Sequence, residues 1–271
     1  GSPYGDRIGF AADIIKALRG RKTPGEIERI REAIAATEEI FAATAAAARP
    51  GATELEVARL MQAEAAKRQA PLAWDPQQCP IVTTGPDSMI GHAYPSADLV
   101  IEPGRVFHLD FGVYREEYCA DLQRSWYVPG EGETEPPAEV RRVFDAVAGA
   151  IRAAAEVLRP GVEGWQVDAA ARRTFVDAGF AEYQHATGHQ VGRSAHDGGT
   201  VLGPRWERYG RTPYYEVEAG NVFTLELGGD AGGRGYLGLE EMVLVTDDGC
   251  EFLSTPQTDL PLLRGSGRLT T

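Results

Sequence analysis

The chain has 271 residues, 43% hydrophobic and 25% charged, an ordinary balance for a globular enzyme. A formal net charge of −13 leaves no basic excess to neutralise phosphates, which argues against nucleic acid or an anionic membrane as partner. No uncharged apolar run reaches the roughly 18–20 residues of a membrane span, and three scattered cysteines (Cys79, Cys119, Cys250) suit a reducing cytoplasm better than a disulfide framework.

In chain order, Thr23, Pro24 and Glu26 signal a helix start, and Ile27, Ile30, Ile34 and Phe41 continue it at helical spacing over 24–48. Arg49-Pro50-Gly51 ends that helix, and Glu54–Ala66 reads as a second. Strands are expected at 80–84, 105–111 and 121–128. The order then repeats. Helices are expected over Val140–Leu158 and Trp165–Ala178, separated by Arg159-Pro160-Gly161, with strands near 222–227 and 239–245.

Two stretches carry the repeat most plainly: EPGRVFHLDFG at 102–112 and EAGNVFTLELG at 218–228. Asp110 and Glu226 hold one position in two copies of a pattern, 116 residues apart, while the Pro-Gly punctuation recurs after 110. We read two α/β halves related by a pseudo-twofold, with helices outside and antiparallel strands meeting inside. Each half has a further acid downstream: Asp121, and either Glu240 or Glu241. Buried carboxylates at close range repel and protonate unless a cation sits among them, so four converging acids point to a metal centre, with two ions expected. Three of the five histidines, His185, His189 and His196, fall within HATGHQVGRSAH, which places them at the same site.

The ordered motifs GPDSMIGHAYPSADLVIEPG, LDFG with YCADLQRSW, HATGHQVGRSAHD, EAGNVFTLELG and GLEEMVLVTDDG resemble the pita-bread metallopeptidases, and within them the proline-specific branch of prolidase and aminopeptidase P. The resemblance covers roughly residues 23–254 and implies an α+β pita-bread fold. It makes Asp110, Asp121, His189, Glu226 and Glu240 the metal ligands, with Asp121 and Glu240 bridging. His92, His185 and His196 match substrate-facing positions, His92, His196 and Glu226 take catalytic roles, and His108 is left as structural. The implied reaction is hydrolysis of the peptide bond before proline by a hydroxide bridging two divalent ions. The oxygen-rich ligand set favours manganese, with cobalt, iron or zinc as alternatives. Substrates would be Xaa-Pro dipeptides or short peptides with proline second, and family members are often dimers. Residues 1–22 resemble the junction after an N-terminal domain and read as a linker, with the catalytic domain over 23–271.

Three departures stand out. The family often has Arg where this chain has Gly238, and its E-P-G-x-Y step here reads Glu226-Leu227-Gly228-Gly229-Asp230. The segment GTVLGPRWERYGRTPYY is longer than usual, and from it Arg211, ahead of Arg205 and Arg208, is expected to hold a substrate carboxylate by a charge-assisted pair. The rival readings are a methionine aminopeptidase, a creatinase-like C–N hydrolase and a non-catalytic peptide-binding module.

Overall fold

The computed structural model describes residues 11–91 and 93–264. A first helix, α1 (Ala12–Gly20), lies within the stretch expected as a linker. Helix α2 (Pro24–Ala47) opens on a capping box in which Thr23 accepts from the Glu26 amide while the Glu26 carboxylate accepts from the Thr23 amide, with Pro24 in the first turn. Helix α3 (Glu54–Lys67) repeats that device with Thr53 and Glu56. The short strand β1 (Ile81–Thr83) and β2 (Arg105–Phe111) follow. A hairpin of β3 (Tyr114–Arg115) and β4 (Tyr118–Cys119) leads to β5 (Leu122–Val128).

The second half has the same plan. Helix α4 (Ala138–Val157) is followed by α5 (Gly164–Asp177), whose capping box uses Glu163 and Gln166. Two-residue strands β6 (Gly188–His189) and β7 (Val201–Leu202) pair with each other. After two short 3-10 turns at 207–209 and 212–214 come β8 (Val222–Asp230), β9 (Tyr236–Val245) and β10 (Cys250–Phe252).

A six-stranded antiparallel sheet runs β1-β2-β5-β9-β10, with β8 also paired along β9. The halves meet where β5 joins β9, at Gln123 opposite Glu240. Two cores back the sheet, each drawn mainly from one half. Ile30, Ile40, Met61, Phe107 and Phe111 cluster in the first, and Phe144, Ile151, Phe223, Leu225 and Leu239 in the second. This is the α+β pita-bread arrangement: two helix-backed layers whose strands enclose a common cavity. Among the described residues no helix is long and apolar enough to cross a membrane.

Candidate metal centre

Strand alternation decides which acids face the cavity. In β2, Phe107, Leu109 and Phe111 are fully buried in the first core, which turns His108 and Asp110 the other way. In β8, Phe223, Leu225 and Leu227 enter the second core and leave Glu226 facing the cavity. The same rule separates neighbours in β9. Glu240 lines the cavity, whereas Glu241 points away to Arg124, 3.0 Å distant, and accepts from Ser254 and Gln257.

The cavity has a volume of about 540 Å³ and is lined by Asp110, Asp121, His189, Glu226 and Glu240 together. One donor atom each from Asp121, His189 and Glu240 lies within 4.8 Å of the others. Nε2 of His189 is 3.4 Å from Glu226 Oε1 and 3.8 Å from both Asp121 Oδ2 and Glu240 Oε1. Two buried carboxylate oxygens of the site, Asp110 Oδ1 and Glu240 Oε2, have no hydrogen-bond partner among the described residues.

Burial pushes the Asp110 carboxyl up to about 7, and burial together with Asp110 pushes Glu226 up to about 8. Asp121 and Glu240 are raised well above the carboxylate range, first by burial and then by neighbouring acids. His189 goes the other way, to about 3, through burial and the adjacent His196, whose ring lies 4.2 Å away centroid to centroid. A histidine held neutral and four acids held together are what a cation would resolve. It would ionise the acids, take the imidazole lone pair and satisfy the two orphaned oxygens. The donor set fits a divalent ion.

The histidine segment is held by several devices. Gly188 lets it close on β8, since a Cβ there would lie 2.0 Å from the Thr224 carbonyl oxygen. The Thr224 hydroxyl accepts from the His189 amide at 3.1 Å. Asp168 in α5 accepts from the Thr187 amide and hydroxyl and is paired bidentately with Arg172. Arg172 in turn donates to the carbonyls of Tyr183 and His185. Beside His196, Asp197 is buried between Arg19 and Lys22, which ties α1 to this segment.

The other expected residues divide. His185 and His196 line the cavity, and His185 contacts the Tyr183 ring. His92 lies outside the described residues; its neighbours Ile90 and Gly91 line the cavity. Arg211 is exposed at the start of the second 3-10 turn and is not among the lining residues. Its neighbours are engaged elsewhere: Arg205 stacks on Trp165, and Arg208 lies over Trp206 and Tyr209. The segment reaches the cavity through Val201 and Tyr209 instead. Sequence reasoning passed over Gln123, Tyr183 and Tyr236, all lining. The one signal for Gln123 was its place two residues after Asp121 in the same alternating strand.

The family model for metallopeptidase family M24 matches residues 28–247. The chain belongs to metallopeptidase family M24. A probable dipeptidase PepE of Mycobacterium tuberculosis is 32% identical over 262 residues, an alignment covering 91% of this chain and 63% of that protein. An Xaa-Pro dipeptidase of Pyrococcus furiosus is 29% identical, covering 92% and 67%. Among solved structures, an X-Pro aminopeptidase from Thermotoga maritima superposes with a TM-score of 0.81 at 32% identity, covering 92% of this chain and 66% of that one. This M24 chain thus spans just under two thirds of the length of the first relative it matches.

Proposed function

We propose that this M24 chain hydrolyses the peptide bond before proline in dipeptides or short peptides, using two divalent ions, with manganese preferred. The observation that carries the reading is the group of four carboxylates and one neutral histidine around one cavity, with two carboxylate oxygens that have no partner among the described residues. The proline preference is supported by relatives whose names are Xaa-Pro dipeptidase and X-Pro aminopeptidase.

Asp110, Asp121, His189, Glu226 and Glu240 would hold the ions. Bound ions would supply a nucleophile from water at neutral pH and Lewis acidity toward the scissile carbonyl. Glu226 takes the proton from the attacking water and returns it to the leaving imino nitrogen as the C–N bond breaks. His196, beside His189 at the cavity wall, and His92 donate to the developing oxyanion. His185 and Tyr209 bound the space for the substrate's side chains.

The test is a chelator-stripped sample reloaded with manganese and assayed on Xaa-Pro dipeptides, Xaa-Pro-Yaa tripeptides and Met-Ala. Cleavage of the proline peptides alone is expected, with two ions per active chain. Asp121→Ala should lose metal and nearly all turnover. Preferential cleavage of Met-Ala, or full activity with one ion, overturns the reading.

A further inference from the structure

The sheet carries a polar chain that ends on a site carboxylate. Gln123 Nε2 donates to Glu226 Oε2 at 3.0 Å, and Gln123 Oε1 lies 3.0 Å from His108 Nε2. On the far side of that imidazole, Nδ1 is 3.4 Å from Thr83 Oγ1. The chain therefore runs from β1 through β2 and β5 to β8. Its polarity is fixed at one end. With a cation bound, Glu226 is ionised and can only accept, so the Gln123 amide then presents its NH₂ there and its oxygen to His108. His108 then carries its proton on Nε2, and Nδ1 accepts from Thr83.

Room for this chain comes from two facing glycines, Gly228 and Gly238, which are cross-strand partners in β8 and β9. A Cβ on Gly238 would sit 2.6 Å from Gln123 Oε1 and 2.9 Å from His108 Nε2. A Cβ on Gly228 would sit 2.1 Å from the Tyr236 hydroxyl. The Tyr236 ring stands edge-on to His108, centroids 5.1 Å apart. Both glycines are thus occupied space rather than loose backbone, and the occupants are His108, Gln123 and Tyr236.

We infer that His108 and Gln123 are positioning residues that fix the Glu226 carboxylate, holding Oε2 so that Oε1 faces His189 and the metal site. The inference rests on the proposed metal-dependent function and adds residues that the five-ligand set does not include. A carboxylate held by one oxygen keeps its other oxygen aimed without spending rotamer freedom at the moment of metal binding or proton transfer.

Gln123→Met keeps the length of the side chain and removes both hydrogen bonds. Manganese affinity, read by calorimetry, should fall by roughly 10–100-fold, and kcat on an Xaa-Pro dipeptide by a similar factor, with KM little changed. His108→Gln retains an N–H donor toward Gln123 and should stay within about 3-fold of the wild type, whereas His108→Phe should reproduce the Gln123→Met loss. Should Gln123→Met fail to fold, the two His108 variants decide the matter. Unchanged metal affinity in folded Gln123→Met, or equal defects in His108→Gln and His108→Phe, overturns the inference. Calorimetry judges the relay even if proline peptides prove not to be substrates, so the two readings fail separately.

Discussion

The two halves anchor their site-facing segments with buried acids placed at different points of equivalent helices. In the first half Glu54, at the start of α3, accepts from Thr84, Ser88 and the Ser96 amide and so holds the segment over 84–96. The equivalent position in α5 is Gly164, where a Cβ would lie 2.2 Å from the Val201 carbonyl oxygen, so β7 packs directly on the helix start. The anchoring acid has moved one turn along, to Asp168, and there it carries a counter-charge in Arg172. One scaffold thus holds a long loop with neutral donors and a short strand with an ion pair. A pseudo-twofold fold conserves where the carboxylates project and leaves the supports free to differ.

Both halves contribute two acids each, and the first test asks whether the cation unites them. Asp110 at about 7 and Glu226 at about 8 are raised above their unfolded values near the ordinary carboxylate range. Groups raised in the folded state bind protons more tightly there. Their contribution is fully present below the unfolded pKa and is lost as pH rises through the folded one. Metal-free protein should therefore lose Tm steadily from about pH 4 to pH 8. Manganese, which needs deprotonated ligands, should raise Tm by an increment that grows over the same window. A manganese increment that shrinks toward pH 8 would mean the acids are not its ligands.

The two anchors are broken separately next. Asp168→Ala removes the bidentate partner of Arg172, only 11% exposed, and should cost about 3 kcal/mol in urea unfolding, the low end for a broken buried pair because Glu182 lies 3.7 Å away. Amide exchange should quicken over 185–189 and leave 84–96 untouched. Glu54→Gln should cost less, about 1–2 kcal/mol, because the amide oxygen can accept from Ser96 while the Thr84 and Ser88 hydroxyls turn to accept from its NH₂, so only the charge assistance is lost. Its exchange signature should be the mirror image, confined to 84–96. Quickening of both segments in either variant would show that the halves share one support.

These contrasts also mark what the sequence could reveal. The halves, the four acids and the histidine segment were legible because strand alternation and the Pro-Gly stops repeat with nearly one offset. Glu240 and Glu241 stayed equal on the residues alone, since adjacent acids in a strand differ only in the face they meet. Gln123 looked like any polar residue in a strand, and its meaning depends on two glycines more than a hundred positions away. Helix α1 lay inside an expected linker because its role shows only in three dimensions, where Arg19 and Lys22 meet Asp197. The arginines of 205–211 were drawn to the cavity by proximity in sequence, yet Arg205 and Arg208 are taken up by Trp165, Trp206 and Tyr209.

The smallest expected effect concerns the feature the halves share most closely. Gly51 and Gly161 lie in the turns that follow α2 and α4, at φ +88° and +85°, and a Cβ on either would meet nothing within 4 Å among the described residues. Alanine at each site therefore carries only the backbone cost of a left-handed L-residue, about 1 kcal/mol. Because neither site adds a packing term, the two losses should agree to within about 0.5 kcal/mol, the scatter of independent sites, and the double variant should show their sum. Gly164→Ala is the control that breaks the symmetry. Its Cβ meets the Val201 carbonyl oxygen, so it should cost clearly more than either, although its φ is ordinary. Urea unfolding of the four variants reads all of this directly. Unequal losses at Gly51 and Gly161 would show that the stops, despite matching sequence and φ, are strained differently by the halves they close.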